Sequence, residues 1–160
     1  MFFHNKEKVM SGYRVHSVGL LLRNSLERYL VLQELQAKPE IGKIPGEKDL
    51  SFPWETKRDG ERDIPALHRL LREEVDATDE IQISLPVFIG AVPVYDTLAW
   101  VYAAQAILVP NKMYGSDEGT EIKSLGWQSR EFLLSRCRDG VPAVFRLWDQ
   151  YQAELMACSA

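Results

Sequence analysis

The sequence predicts a layered domain of the α/β or α+β class. Apolar runs of strand length stand before and after one amphipathic helix pattern, and two further helix patterns follow them. The length of 160 residues favours one domain over residues 1–160. The content of 46% hydrophobic and 26% charged residues is typical of a soluble globular protein.

An antiparallel hairpin is predicted near the start. Residues 17–23, SVGLLLR, and 28–35 have strand length, and the turn NSLE separates them. Residues 36–52 are rich in Pro, Gly and charge, which predicts a loop with a short strand around 41–44. Residues 1–11 are expected to be a flexible N-terminus.

One helix is predicted to begin at Asp63 and to end near Asp76. The Asp63 side chain can cap the first turn, where the missing N–H of Pro65 costs nothing. The apolar residues recur at helical spacing on one face, as Ile64, Leu67, Leu71 and Val75.

Two strand patterns follow the helix. Residues 83–95 predict strand with breaks at Pro86 and Pro93. Residues 97–109 fit either strand or helix by length, and the aromatic and β-branched run 100–102 favours strand.

A short strand and two helices are predicted in the last third of the chain. Residues 120–127 indicate a strand, and Ser129 is placed to cap a short helix over 130–136. Residues 141–157 predict an amphipathic helix with an apolar face made of Val144, Leu147, Trp148, Tyr151 and Leu155.

The charge and cysteine content exclude several classes of protein. The net charge of −4, from 19 basic and 23 acidic residues, gives no footprint for nucleic acid. Cys137 and Cys158 are too few for a disulfide framework. The start has no signal-peptide pattern, and the apolar stretch 97–110 is too short to span a bilayer. We therefore expect a cytoplasmic protein with no nucleic-acid or membrane partner.

Residues 52–77, FPWETKRDGERDIPALHRLLREEVDA, carry the chemical signal. They resemble the signature of the Nudix hydrolases, G-x5-E-x7-R-E-U-x-E-E-x-G-U, with U a bulky aliphatic residue. Five positions match at the required gaps, namely Glu61, Arg69, Leu71, Glu73 and Glu74. Four positions depart from the signature, namely Glu55 and Asp76 for Gly, Leu70 for Glu and Ala77 for a larger aliphatic residue.

The resemblance covers about residues 12–134 and implies an α/β/α sandwich with a mixed β-sheet. It also implies that the signature forms a strand–loop–helix and that residues 125–133, LGWQSREFL, form the strand and short helix that end the family fold. The implied activity is metal-dependent cleavage of a nucleoside diphosphate linked to another moiety, with Mg²⁺ or Mn²⁺.

The signature assigns roles to particular residues. Divalent ions neutralise the phosphates and activate a water, and Mg²⁺ prefers oxygen ligands. The catalytic candidates are Arg69, Glu73 and Glu74, and the metal-ligand candidates are Glu55, Glu61, Glu73 and Glu74. Glu73 and Glu74 are adjacent and project about 100° apart around a helix. Acidic residues outside the signature, Asp117, Glu118 and Glu121, are candidates for a missing base.

Competing interpretations remain open at this point. Glu73 and Glu74 also fit a solvated helix face, and Leu70 is expected to pack in the core. Trp54 could stack on a nucleobase or pack inside the protein. The chain could be a Nudix-fold module that binds a nucleotide or a protein without catalysis, or an unrelated α/β domain. The apolar face of the last helix could serve a homodimer.

Overall fold

The computed structural model describes residues 12–74, 82–108 and 121–159. These residues form eight strands, three α-helices and one 3₁₀ helix. The strands are β1 (Val15–Arg23), β2 (Tyr29–Glu34), β3 (Leu50–Ser51), β4 (Trp54–Thr56), β5 (Gln82–Ile83), β6 (Val87–Val94), β7 (Thr97–Leu108) and β8 (Ile122–Gln128). The helices are the 3₁₀ helix (Pro39–Ile41), α1 (Asp63–Glu74), α2 (Arg130–Ser135) and α3 (Val141–Cys158).

The strands form one open, mixed sheet with β1 at its centre. β1 pairs with β7 in parallel, and it pairs with β2 and β4 in the antiparallel sense. β2 also pairs with β3 and β8, while β7 also pairs with β5 and β6. The predicted mixed sheet is confirmed.

Helices cover both faces of the sheet, which confirms the predicted α/β/α sandwich. Along β1, alternate residues point to opposite faces. Leu20 and Leu22 pack in the cluster that includes Leu67 of α1, whereas Leu21 packs in the cluster that includes Trp148 of α3. Each face therefore buries its own apolar core.

The predicted N-terminal hairpin is present between β1 and β2. The Asn24 side-chain oxygen accepts hydrogen bonds from the backbone N–H groups of Leu26 and Arg28, each 3.0 Å long. Glu27 completes the turn in the left-handed region, at φ 58°. A side chain of Asn at the start of a turn thus fixes the register of the hairpin.

The short strand predicted around residues 41–44 is wrong, because Lys43 and Ile44 form only isolated β-bridges, with Lys38 and Lys48. Pro39 stands at the start of a 3₁₀ helix, and Gly42 ends it at φ 72° with its N–H bonded to the Pro39 carbonyl. Proline suits a first helical turn and glycine a left-handed end, so this segment closes a tight turn. The strand of this region is β3, which begins later, at Leu50.

The break predicted at Pro93 is also wrong, whereas the break at Pro86 is confirmed. β6 continues through Pro93, whose Cα lies opposite that of Leu98 in β7. Among the described residues, β6 pairs with β7 alone, so it is an edge strand. A proline lacks the N–H that a central ladder needs but is tolerated at an edge.

The strand interpretation of residues 97–109 is confirmed through Leu108, and the strand predicted over 120–127 is β8. Ser129 caps α2 as predicted, because its side-chain oxygen accepts from the Phe132 N–H at 3.1 Å. α3 buries Val144 and Trp148, but Leu155 is half exposed.

None of the helices in the described residues has the length and apolar character needed to cross a membrane. Residues 1–11 lie outside the described part of the chain.

Candidate active site

The signature residues form the predicted strand–loop–helix, made of β4, residues 57–62 and α1. The loop is closed by a reciprocal pair of hydrogen bonds, each 3.0 Å long. The Arg58 N–H donates to the Glu61 carboxylate, and the Glu61 N–H donates to the Arg58 carbonyl. Gly60 takes φ 72°, a conformation that suits glycine, at the tip of this turn. The turn therefore presents the Glu61 side chain to the helix.

Arg69 is the centre of the site. It is only 6% exposed although it carries a charge. Its Nε and Nη2 donate to the two Glu61 oxygens at 3.0 and 2.8 Å, which is a bidentate pair. Its Nη2 also donates to the Thr56 carbonyl of β4 at 2.9 Å. Arg69 thus ties α1 to both the loop and the sheet.

Two further carboxylates approach the same guanidinium at Nη1. Glu73, one turn along α1, lies 3.3 Å from it, and Glu55 of β4 lies 3.6 Å from it. The Glu73 side chain is 48% exposed and also lies 3.5 Å from Arg58. The structure therefore brings together Glu55, Glu61 and Glu73, three of the four predicted metal ligands. We call these residues with Arg69 the Arg69 cluster.

The cluster shifts the ionisation of its members. Hydrogen bonds from Arg69 lower the pKa of Glu61 from 4.5 to about 2, helped by the Arg58 N–H. The same pairing raises the pKa of Arg69 above its usual range. Glu61 is therefore a carboxylate, not an acid, at neutral pH.

This pKa predicts a pH-dependent stability. Because the pKa of Glu61 is lowered on folding, its stabilising effect is full above about pH 4.5 and is lost as the pH falls towards about 2. We expect the stability difference between the native protein and Glu61→Gln, measured by urea unfolding, to be constant down to about pH 5 and to shrink below it. Glu47→Gln, at an exposed glutamate, is the control. An unchanged difference at about pH 3 would contradict the pairing.

Leu70 packs in the core, as expected. It is fully buried in the apolar cluster between α1 and the sheet. The Glu74 side chain lies outside the described residues, as do Asp76, Ala77, Asp117 and Glu118. Glu121 is exposed just before β8, where its carbonyl accepts from the Leu35 N–H at 2.7 Å. In the described ranges, no three His, Cys, Asp or Glu side chains are arranged to hold a metal ion.

Asp63 does something other than the predicted capping. One carboxylate oxygen lies 2.6 Å from Lys57 Nζ, and the other accepts a short hydrogen bond from the Tyr102 hydroxyl of β7. Burial and this contact raise the pKa of Tyr102. The start of α1 is thereby fixed to β7, which lies 39 residues further along the chain.

Trp54 lies on the other face of the sheet from α1, packed against the core that contains Trp148. Its indole ring lies directly over Gly19 of β1, where a Cβ atom would come within 2.8 Å of it. It also lines a small cleft with Tyr95 and Arg138. Trp54 therefore packs mainly against the core and against Gly19, and part of it also borders this cleft.

Sequence reasoning did not find three contacts of this site. They are the Thr56 carbonyl on Arg69, the Arg58 contact to Glu73, and the Tyr102 contact to Asp63. The first two lie within the signature segment. There, the positive charge of Arg58 next to the acidic residues of the signature is a sequence feature that indicates its contact with Glu73. Nothing in the local pattern of β7 indicates Tyr102.

No protein-family model and no curated protein matches the chain. Several solved structures, however, are similar to the chain. It is similar to a Nudix hydrolase from Nitrosomonas europaea at 17% identity and TM-score 0.59, over 88% of this chain and 89% of that one. It is also similar to a MutT protein from Methanosarcina mazei at 21% identity and TM-score 0.56, over 88% and 94%. The chain has the Nudix fold. A third similar structure is a C. elegans Ap4A hydrolase in a binary complex, at 18% identity and TM-score 0.56, over 88% and 98%.

The position of the Arg69 cluster in the chain can be compared with that of the Nudix signature. The cluster lies in the strand–loop–helix that the Nudix signature occupies, and the spacing of Glu61, Arg69 and Glu73 is that of the signature. Leu70 stands where the signature has a glutamate, and its side chain is buried in the core. The site therefore combines a Nudix arrangement of charges with one missing carboxylate.

Proposed function

We propose that this protein hydrolyses a phosphoanhydride bond in a nucleoside diphosphate linked to another moiety, slowly and with Mg²⁺ or Mn²⁺. The observation that carries the proposal is the gathering of Glu55, Glu61 and Glu73 around Arg69 in a Nudix fold. A small nucleotide is then the substrate. A cytoplasmic location and a homodimer stay predictions.

The oxygen donors of the site fit a divalent ion in part. Both Glu61 oxygens accept from Arg69, and Oε1 also accepts from the Arg58 N–H, so Glu61 mainly supports the cluster. Glu73 and Glu55 approach Nη1 at longer distances, so they can exchange this contact for a metal ion. With Glu74, they are the residues that would hold Mg²⁺ or Mn²⁺. A bound ion would neutralise phosphate charge and help to activate a water.

The chain's own residues then divide the remaining work. Glu61 holds Arg69 by two hydrogen bonds in a bidentate arrangement, which fixes the orientation of the guanidinium. Arg69 in turn holds Glu73 on the exposed side of α1. Arg69 is thus a positioning residue, and Glu73 is the carboxylate that can meet solvent and substrate.

The burial of Leu70 favours a second function, a Nudix-fold module that binds a nucleotide without cleaving it. The signature places a glutamate at this position, but here the side chain lies in the core and cannot reach a ligand. A metal ion would lose one carboxylate from its set. Binding could then persist where hydrolysis has been lost.

The test is product release from a panel of nucleoside triphosphates, dinucleoside polyphosphates, ADP-ribose and sugar nucleotides, each with Mg²⁺ and with Mn²⁺. The Ap4A hydrolase among the similar structures supports including dinucleoside polyphosphates. We expect slow hydrolysis that Glu73→Gln and Glu74→Gln each reduce by about 100-fold or more.

Glu154→Gln, at an exposed glutamate of α3, is the matched control and should keep full activity. If the native protein hydrolyses nothing on the panel, catalysis is excluded for those substrates. A nucleotide-dependent and metal-dependent rise in melting temperature in that case would favour the binding module.

A further inference from the structure

An open groove runs beside the loop between β4 and α1. Its volume is about 460 Å³, which is within the range of small-molecule sites. Two segments line it, residues 14–16 at the start of β1 and residues 56–61 of the signature. The Lys57 N–H donates to the His16 carbonyl at 2.9 Å and holds the two segments together. The groove is therefore a product of the fold.

Cations dominate the lining of this groove, on a chain whose net charge is −4. Its basic side chains are Arg14, Lys57 and Arg58, with His16 beside them. In the described part of the chain, the exposed Arg14 guanidinium has no hydrogen-bond or ion-pair partner. The Arg58 side chain is 69% exposed, and among the described residues its guanidinium has one ion pair, 3.5 Å long, to Glu73. Two arginines can thus turn to a ligand.

The acidic groups of the groove offset this charge only in part. The Glu61 carboxylate is paired with Arg69, and Lys57 is paired with Asp63 outside the lining. Asp59 is the remaining carboxylate, at an exposed position of the loop. Within the lining, Arg14 and Arg58 therefore leave a positive surplus over Asp59, and Arg58 also contacts Glu73 outside the lining.

His16 adds a second, independent feature. Its Nδ1 atom is buried and has no hydrogen-bond partner among the described residues. A buried polar atom without a partner is costly, and native structures rarely leave one without a reason. His16 is one of the groove residues, so this unsatisfied atom lies beside the groove and not in its open space.

We propose that this groove binds a phosphate chain. Arg14 and Arg58 contact the phosphate oxygens there. Planar guanidinium groups suit phosphate oxygens by geometry and charge. Glu61 and Thr56 line the groove and also contact Arg69, so the groove is continuous with the Arg69 cluster. If the proposed function holds, the substrate is then a nucleoside with three or more phosphates.

The experiment measures binding without catalysis. Sodium tripolyphosphate is titrated into the full chain by calorimetry at low salt, with EDTA present to remove divalent ions. We expect saturable binding that weakens as salt rises. Arg14→Gln and Arg58→Gln should each weaken it by about tenfold. Asp59→Asn should tighten it, because a repelling carboxylate that has no cation paired with it in the described residues is removed.

Arg146→Gln, at an exposed arginine of α3, is the matched control and should leave the affinity unchanged. The proposal is overturned if the native protein does not bind tripolyphosphate, or if Arg146→Gln weakens binding as much as Arg14→Gln. Since EDTA prevents metal-dependent hydrolysis, binding here with no activity on the substrate panel would reject only the proposed function.

Discussion

Replacement of Arg69 by Met is expected to destabilise the protein by about 3 kcal/mol, because it removes one partner of a buried ionic network. Met keeps much of the length and the apolar stem of the side chain. It leaves the Glu61 carboxylate without its two hydrogen bonds and the Thr56 carbonyl without its donor. It also leaves Glu55, Glu61 and Glu73 to repel one another.

Urea unfolding at neutral pH measures this loss. Arg72→Met is the matched control, because Arg72 is an exposed arginine of the same helix, and it should change stability by less than about 0.5 kcal/mol. Arg69→Lys should fall between the two, since an ammonium keeps the charge but not the bidentate geometry. An Arg69→Met protein as stable as the Arg72→Met protein would mean that the cluster contributes little to folding.

Replacement of Leu70 by Glu is expected to destabilise the protein by about 4 kcal/mol or more, although it restores the residue type of the Nudix signature. The side chain at this position is fully buried among apolar residues of α1 and the sheet, including Leu67 and Leu98. The substitution removes the apolar contacts of the buried Leu side chain. It also buries a carboxyl group, charged or protonated, that has no hydrogen-bond partner there. We therefore expect no gain of hydrolysis.

Thermal unfolding and the substrate panel together test this expectation. Leu70→Met, which keeps volume and apolar character, should cost less than about 1.5 kcal/mol. A Leu70→Glu protein that keeps its melting temperature and hydrolyses nucleotides faster would contradict the expectation. It would indicate that α1 can turn to bring residue 70 out of the core and towards a metal ion.

The layered fold follows from two local features of the sequence, the spacing of its apolar residues and the residue types in its turns. The alternation along β1 places Leu20 and Leu21 on opposite faces, and the Asn at position 24 supplies the hairpin turn. The two errors in the strand predictions concern segments whose local signal is weak. Proline predicts a strand break, but an edge strand tolerates Pro93, and its place at an edge is a property of the assembled sheet. Residues 41–44 lack alternation, and a proline and a glycine close them into a turn.

The sequence by itself determined that Glu61, Arg69 and Glu73 share one strand–loop–helix, because a helix turns every 3.6 residues and fixes the neighbours of Arg69 on α1. It also determined that Leu70 belongs with the apolar stripe. Only the tertiary structure decided that Glu55 joins Arg69 from β4 and that Tyr102 takes the Asp63 carboxylate. Those contacts cross from one layer to another, so they depend on how strands pair and where α1 packs, which no local pattern encodes.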